Sequence, residues 1–361
     1  MKAFGYFNRY ALLAVAVCLL TIGPSLYADG GGNHQVRNQH FGVSGGNVND
    51  ISRAFCCSGT LGALVSDGTN QFILSNNHVL ARSGQAVAGE DISQPGLIDN
   101  GCRVATLVAD FTGAAPLGSN VDAAVAQLRA GQMDSSGFIE DIGVPSGTIV
   151  NPSVGLSVAK SGRTTGFTTG TVSSVNTSVS VQYQKGCNSG KKFVVAYTNQ
   201  VVINSSTFSA GGDSGSLIVT NNASHNPVAL LYAGSSSTTI GNPIGEVLTK
   251  LGTALGRTFS FGGGGGAGRQ GADIASSSQS QRTGPSAERI GVATSAMRTR
   301  EADLLSRPGI IGVGVGASDT DPNDASIVVY IDANSQLTSR VPRQINGVRV
   351  KRVFTEPFVA F

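Results

Sequence analysis

The sequence has no tryptophan, four histidines, three methionines and little charge. Asp, Glu, Lys and Arg make up 13 % of its 361 residues, against roughly 25 % in an average soluble chain. The 25 basic and 22 acidic residues leave a formal charge of +3, spread along the chain. A nucleic-acid binder shows a concentrated basic face, so that class is disfavoured. Four histidines and no Cys-x-x-Cys pair make a poor supply of metal ligands. Neither a metal nor an organic cofactor is expected. Past residue 23 no apolar run reaches the roughly 20 residues that a membrane span needs.

What is abundant points one way. Glycine reaches 49 residues and hydrophobic residues 40 %. That apolar share excludes global disorder. Much Gly, Ser, Thr, Val and Asn suits an exported β-rich protein. Residues 1–28 read as a signal peptide, with Lys2 and Arg9 at the basic end and an apolar run over 11–23. Pro24 breaks that run, and Leu26-Tyr27-Ala28 offers the cleavage site. A lipid anchor through Cys18 fits less well, because Val17 is larger than lipid attachment prefers. The protein is expected to be secreted or periplasmic, with no stable membrane association after cleavage.

Cys56, Cys57, Cys102 and Cys187 remain, an even number in an exported chain. Neighbouring Cα atoms are too close for good disulfide geometry. Cys56 and Cys57 therefore pair separately with Cys102 and Cys187, in an order left open.

Residues 29–257 are short apolar stretches set between Gly, Ser, Asn and Pro. Strand candidates are 61–66, 71–75, 103–109, 123–128, 171–182, 193–203, 216–220 and 228–233. Many short strands imply a sandwich or barrel. Over 243–255, Ile244, Val247, Leu248, Leu251 and Leu255 fall at helical spacing behind Pro243. Residues 258–286 are a Gly/Ser-rich linker with almost nothing to bury. Residues 287–361 read as a small α/β module: a helix over 287–306, then strands at 309–315, 326–331 and 347–354. Gly312-Val313-Gly314-Val315-Gly316 lacks the spacing of a nucleotide loop and reads as a glycine-rich strand. Asp319, Asp321, Asn323 and Asp324 read as an acidic hairpin loop, because Pro322 and missing ligands exclude a calcium loop.

The residues suited to chemistry cluster in three places. Ser214 lies in Gly211-Gly212-Asp213-Ser214-Gly215-Ser216. A serine hydroxyl needs a base to become a nucleophile. Glycines beside it allow a tight turn with two N–H groups aimed at one developing oxyanion. His78 in Ser75-Asn76-Asn77-His78-Val79-Leu80 and Asp122 in Asn120-Val121-Asp122-Ala123-Ala124 each adjoin an apolar strand. They supply the base and its buried carboxylate.

In order and spacing these segments resemble the chymotrypsin-like serine proteases, particularly secreted bacterial members such as streptogrisins and α-lytic protease. His78, Asp122 and Ser214 are separated by 44 and 92 residues, against about 45 and about 93 in the template for this triad. Lys160-Ser161-Gly162-Arg163-Thr164-Thr165-Gly166 resembles the strand that opens the second barrel. The likeness covers roughly residues 40–257. It implies an all-β fold of two six-stranded antiparallel barrels with a closing helix, and an active site between them. It implies Ser214 as nucleophile, His78 as general base then acid, Asp122 as its orienting carboxylate, and the N–H groups of Gly212 and Ser214 as oxyanion hole. Tyr232, Ala233 and Gly234 would form the substrate-pairing edge, and Phe208 the floor of the primary pocket. No acid stands at Phe208, so a Lys or Arg preference is disfavoured and a small or medium neutral side chain is expected.

The chain departs from the pattern at Val79, where cysteine often follows the histidine, and at Ser216, where glycine is commoner. Val43-Ser44-Gly45-Gly46 has no basic residue before it, so zymogen activation by a new amino terminus is not expected. The reading is a secreted serine endopeptidase acting on polypeptides, with the 287–361 module as inhibitor, folding aid or targeting domain in possible contact with it. The rivals are a silent protease-like binding protein and an esterase with the same triad. The esterase elbow G-x-S-x-G is not matched.

Overall fold

Short strands with inward and outward faces cannot bury their apolar sides alone, and here they do so by closing on themselves. The computed structural model describes residues 34–262, 284–335 and 341–361. The expected signal peptide with Cys18, and most of the expected linker, lie outside them. Among the described residues no helix is long and apolar enough to cross a membrane.

The first sheet contains β1 (Val43–Asn47), β2 (Gly59–Leu61), β3 (Ala63–Ser66), β4 (Gln71–Ser75), β5 (Asp91–Gln94), β6 (Thr106–Ala114) and β7 (Ala124–Leu128); a helical turn, α1 (Asn77–Leu80), follows β4. The order β2-β1-β5-β6-β7-β4-β3 begins and ends on strands separated only by Gly62. The ring therefore closes as six strands, one of them bent at Gly62. A Cβ there would come within 1.9 Å of the Gly215 carbonyl, so only glycine allows the bend to touch the second half of the molecule.

The second ring contains β8 (Ser157–Gly162), β9 (Gly166–Thr171), β10 (Ser174–Gln184), β11 (Lys192–Asn204), β12 (Leu217–Thr220), β13 (Pro227–Ser235) and β14 (Thr238–Pro243). Its order β10-β11-β14-β13-β12-β8-β9 closes where β9 runs into β10. α2 (Ile244–Leu255) then places Ile244, Val247 and Leu251 in the first ring's core. It stops at Gly256, whose φ of 65° is the left-handed cap helices favour. This is the all-β double barrel with a closing helix that the sequence implies.

Two disulfides form, Cys56–Cys102 and Cys57–Cys187, as the separate-pairing argument requires. The second joins the two halves of the molecule. The expected linker starts too early. Phe259 and Phe261 are buried, Ser260 bridges Ser66, and the Phe259 ring meets Phe72 edge-on at 5.5 Å. Residues 258–262 thus belong to the first barrel.

The remaining residues form α3 (Ala287–Arg298), α4 (Glu301–Leu305), β15 (Ile310–Ala317), β16 (Ala325–Asp332), β17 (Gln344–Ile345), β18 (Val348–Thr355) and β19 (Phe358–Ala360). The single helix expected over 287–306 is broken between α3 and α4. Ala293, Met297 and Leu304 pack on Val313, Ile327 and Val329. β15 pairs antiparallel with β10, so the module's sheet continues the second barrel. Cβ atoms at Gly314 and Gly316 would come within 2.3 Å of Thr177 and 2.5 Å of the Ser173 carbonyl. The glycine-rich strand exists because it lies against that barrel.

Candidate active site

The chain leaves β4 at Ser75 and turns through α1, and two asparagines pin that turn. Asn76 Nδ2 donates to the Asp122 carbonyl at 2.7 Å, and Asn77 Nδ2 to the Ala115 carbonyl at 2.8 Å. His78 then faces Asp122. Asp122 Oδ1 accepts from the His78 main-chain N–H at 3.1 Å, and Oδ2 accepts from the ring Nδ1 at 2.6 Å. The Asp122 side chain is fully buried and that of His78 is 11 % exposed. Burial lowers the His78 pKa, but the charge and hydrogen bond of Asp122 outweigh it, and the group ends above its ordinary value of 6.5.

Asp122 has a third donor that sequence reasoning missed. Tyr183 Oη, on β10, donates to Oδ2 at 2.8 Å and lies 2.6 Å from Tyr197 Oη on β11. Burial, then the negative charge of Asp122, pushes the Tyr183 hydroxyl well above its usual pKa, so it stays a donor. The strand expected over 171–182 stopped one residue short of Tyr183 and gave no sign that this aromatic faces the carboxylate.

Ser214 lies in the loop before β12 and is buried. Both halves of the molecule hold that loop. Thr60 N–H donates to the Ser214 carbonyl at 2.8 Å, Thr60 Oγ1 to the Gly212 carbonyl at 2.9 Å, and Gly215 N–H to the Leu231 carbonyl at 2.9 Å. Gly212 and Gly215 take φ of 98° and 97°. A Cβ on Gly215 would come within 2.2 Å of Ser75 Oγ, so this position needs glycine twice over. Among the described residues neither the Gly212 nor the Ser214 N–H has a main-chain partner, as an oxyanion hole requires.

Asp213 is turned away from the cleft onto a buried cation. Its Oδ2 meets Lys160 Nζ at 3.3 Å, with both side chains fully buried, and also accepts from Thr165 Oγ1 at 2.7 Å and the Ala210 N–H at 2.9 Å. Its Oδ1 accepts from the Thr164 N–H at 2.8 Å. Lys160 also donates to Thr165 Oγ1 and to the Gly166 carbonyl. The Lys160 motif thus supplies, from within the strand, a buried partner for the residue before Ser214.

His78 lines a cleft of about 630 Å³ together with Cys57, Arg163, Tyr183 and Gly212, and Ser214, two residues beyond Gly212, is buried. Tyr232, Ala233 and Gly234 lie near the end of β13, and Phe208 is buried in the second barrel's core. The structure thus joins His78 to Asp122 and Ser214 to Tyr232, and leaves Phe208 in the core. Two contacts engage His78 and Ser214. The main-chain oxygen of Phe361 lies 3.0 Å from His78 Nε2, and Ser214 Oγ donates to the Tyr232 carbonyl at 3.2 Å.

No curated protein matches the chain. Among solved structures it is similar to a glutamic-acid-specific serine protease (22 % identity, 61 % of this chain and 98 % of that one, TM-score 0.42). It is also similar to an alpha-lytic protease homologue, N4 (19 %, 62 % and 98 %, 0.39), and to a Cellulomonas bogoriensis chymotrypsin (17 %, 63 % and 99 %, 0.39). The profile of peptidase family S64 matches residues 54–241, just over half of the chain and the span that holds His78, Asp122 and Ser214. The chain belongs to peptidase family S64 and is a chymotrypsin-like serine-type peptidase.

Proposed function

We propose that the protein is an exported endopeptidase that cleaves polypeptides through an acyl-enzyme on Ser214. The observation that carries this is the His78–Asp122 contact at 2.6 Å beside a serine on a glycine-flanked loop. His78 takes the Ser214 proton as Oγ attacks the scissile carbonyl, then gives it to the leaving amine. Asp122 holds the imidazole with Nδ1 protonated, so that Nε2 is free to act as base, and stabilises the imidazolium. The Gly212 and Ser214 N–H groups bind the oxyanion. Water, activated by His78 in its turn, hydrolyses the acyl-enzyme. The substrate lies as an extended strand along Tyr232–Gly234 and is held largely by main-chain hydrogen bonds. Two disulfides support export to an oxidising compartment.

Peptide hydrolysis compared with hydrolysis of a small ester tests the reading. The protein should cleave an internal peptide bond of a casein-derived substrate, and Ser214→Ala should lower kcat by on the order of 10⁶. Ester cleavage with no peptide cleavage would favour an esterase.

A further inference from the structure

We propose that residues Phe358–Phe361 occupy the substrate cleft as a substrate-like segment of the chain itself, and that the cleft selects an extended peptide with an aromatic residue at the acyl position. This rests on the peptidase reading and names its substrate class. Ala360 pairs with Ala233 and Val359 with Gly234, antiparallel, on the edge of β13 that a substrate would use. On the other side Phe358 and Val359 pair in parallel with Val181 and Gln182 of β10. The segment therefore fills a slot between two strands.

The register places one particular residue at the chemistry. Phe361 follows Ala360, and its main-chain oxygen is the atom bonded to His78 Nε2. A carbonyl or an ionised carboxylate oxygen only accepts, so this bond requires a proton on Nε2. Nδ1 also donates, to the Asp122 carboxylate. His78 is thus held with both nitrogens protonated and cannot act as base. With Ser214 Oγ turned to the Tyr232 carbonyl, the serine–histidine bond is replaced on both sides.

The ring of Phe361 shows what the primary pocket accepts. A Cβ on Gly234 would come within 2.6 Å of its Cζ, so the ring lies directly over the bare backbone of that glycine. It packs against the apolar cluster that contains Phe208, Val172 and Ile203. A phenyl ring fits where a small or medium side chain was expected, because Phe208 is withdrawn into the core, against Gly170, and leaves the space above it. The approach is anchored too. Thr355 Oγ1 is 2.6 Å from Ser235 Oγ at the end of β13, and the buried Phe358 ring meets Tyr330 at 5.9 Å.

Full-length protein, Phe361→Asp, Phe361→Ala and Ser214→Ala would be labelled with a fluorophosphonate and assayed on peptides differing only at the acyl residue (Phe, Ala, Glu or Lys). Phe361 is half-buried at a strand end, so the alanine variant keeps the test open if the aspartate variant fails to fold. The Phe361 variants are expected to label at least tenfold faster than the native chain and to prefer the Phe peptide over the Ala peptide at least tenfold in kcat/KM. Added hexapeptide Glu-Pro-Phe-Val-Ala-Phe should inhibit them competitively, and its Phe-to-Ala end variant at least tenfold less. Equal labelling of native chain and variants, with no inhibition by the hexapeptide, would overturn the inference while leaving the peptidase reading intact, provided Ser214→Ala is unlabelled. Faster labelling with a preference for Ala, Glu or Lys would overturn the aromatic specificity. No labelling of any protein would overturn both readings.

Discussion

At the scale of single residues, the site is a set of buried polar groups that complete one another. His78 is faced by Asp122 and Tyr183, and the charge of Asp50 also acts on it. Asp50 is itself pushed up to about 6 by burial, against the pull of His78 and Arg82. A raised His78 pKa means that the charged form is favoured and the base is lost early on acidification. Activity should therefore fall as pH drops through a value above the ordinary 6.5, and a kcat/KM profile checks it. The main-chain oxygen of Phe361 contributes to that elevation, so Phe361→Ala, by releasing the segment from the cleft, should move the acid limb downward. Tyr183→Phe removes one of three donors from Asp122, leaving more of its charge for His78. The acid limb should move upward, with stability lower by about 1.5–3 kcal/mol in urea unfolding. Lys160→Met leaves Asp213 buried and unpaired, a loss of about 3–5 kcal/mol, with slow labelling because the Ser214 loop loses its anchor. His78, Asp122 and Ser214 were legible because each sits in a recognisable segment. Tyr183 and the Lys160–Asp213 pair were not, because nothing local in the sequence tells which side chain a strand turns toward a distant carboxylate.

At the scale of elements, the strands that sequence reasoning found are those rich in Val, Ile and Leu, such as β4, β7, β12 and β13. Those it passed over, β1 (VSGGN), β5 (DISQ), β9 (GFTTGT) and β14 (TTIGNP), have the composition of turns. They are strands because tertiary packing overrides that composition. In β1, Gly45 is where Leu61 would collide with a Cβ at 2.4 Å. The tight turn at Ser214 has the same logic. Gly215→Ala should destabilise the protein by roughly 1–3 kcal/mol from the backbone conformation alone. The overlap with Ser75 and Thr60 adds to that, and probe labelling should fall with it. The strand expected over 347–354 matches β18, while β19 beyond Pro357 was assigned to no strand, because strand pairing between distant segments leaves no periodic trace.

At the scale of the whole molecule, the second ring, the module and the cleft share β10. That strand pairs with β11 inside the barrel and with β15 and β19 along its other edge. The module is thus built onto the strand that carries Tyr183, and its last residues reach His78. A composition shift at 258–286 located a division but placed its start too early, since Phe259 and Phe261 fill the first barrel. Phe259→Ala should cost about 3–5 kcal/mol of stability, read by urea unfolding of the full chain.

The most direct test of the central claim is mass spectrometry of the full-length protein after reaction with a fluorophosphonate, with the modified peptide sequenced. The account predicts one adduct per chain, on Ser214, forming faster in Phe361→Ala. An adduct on another residue, or none in either protein, would contradict it.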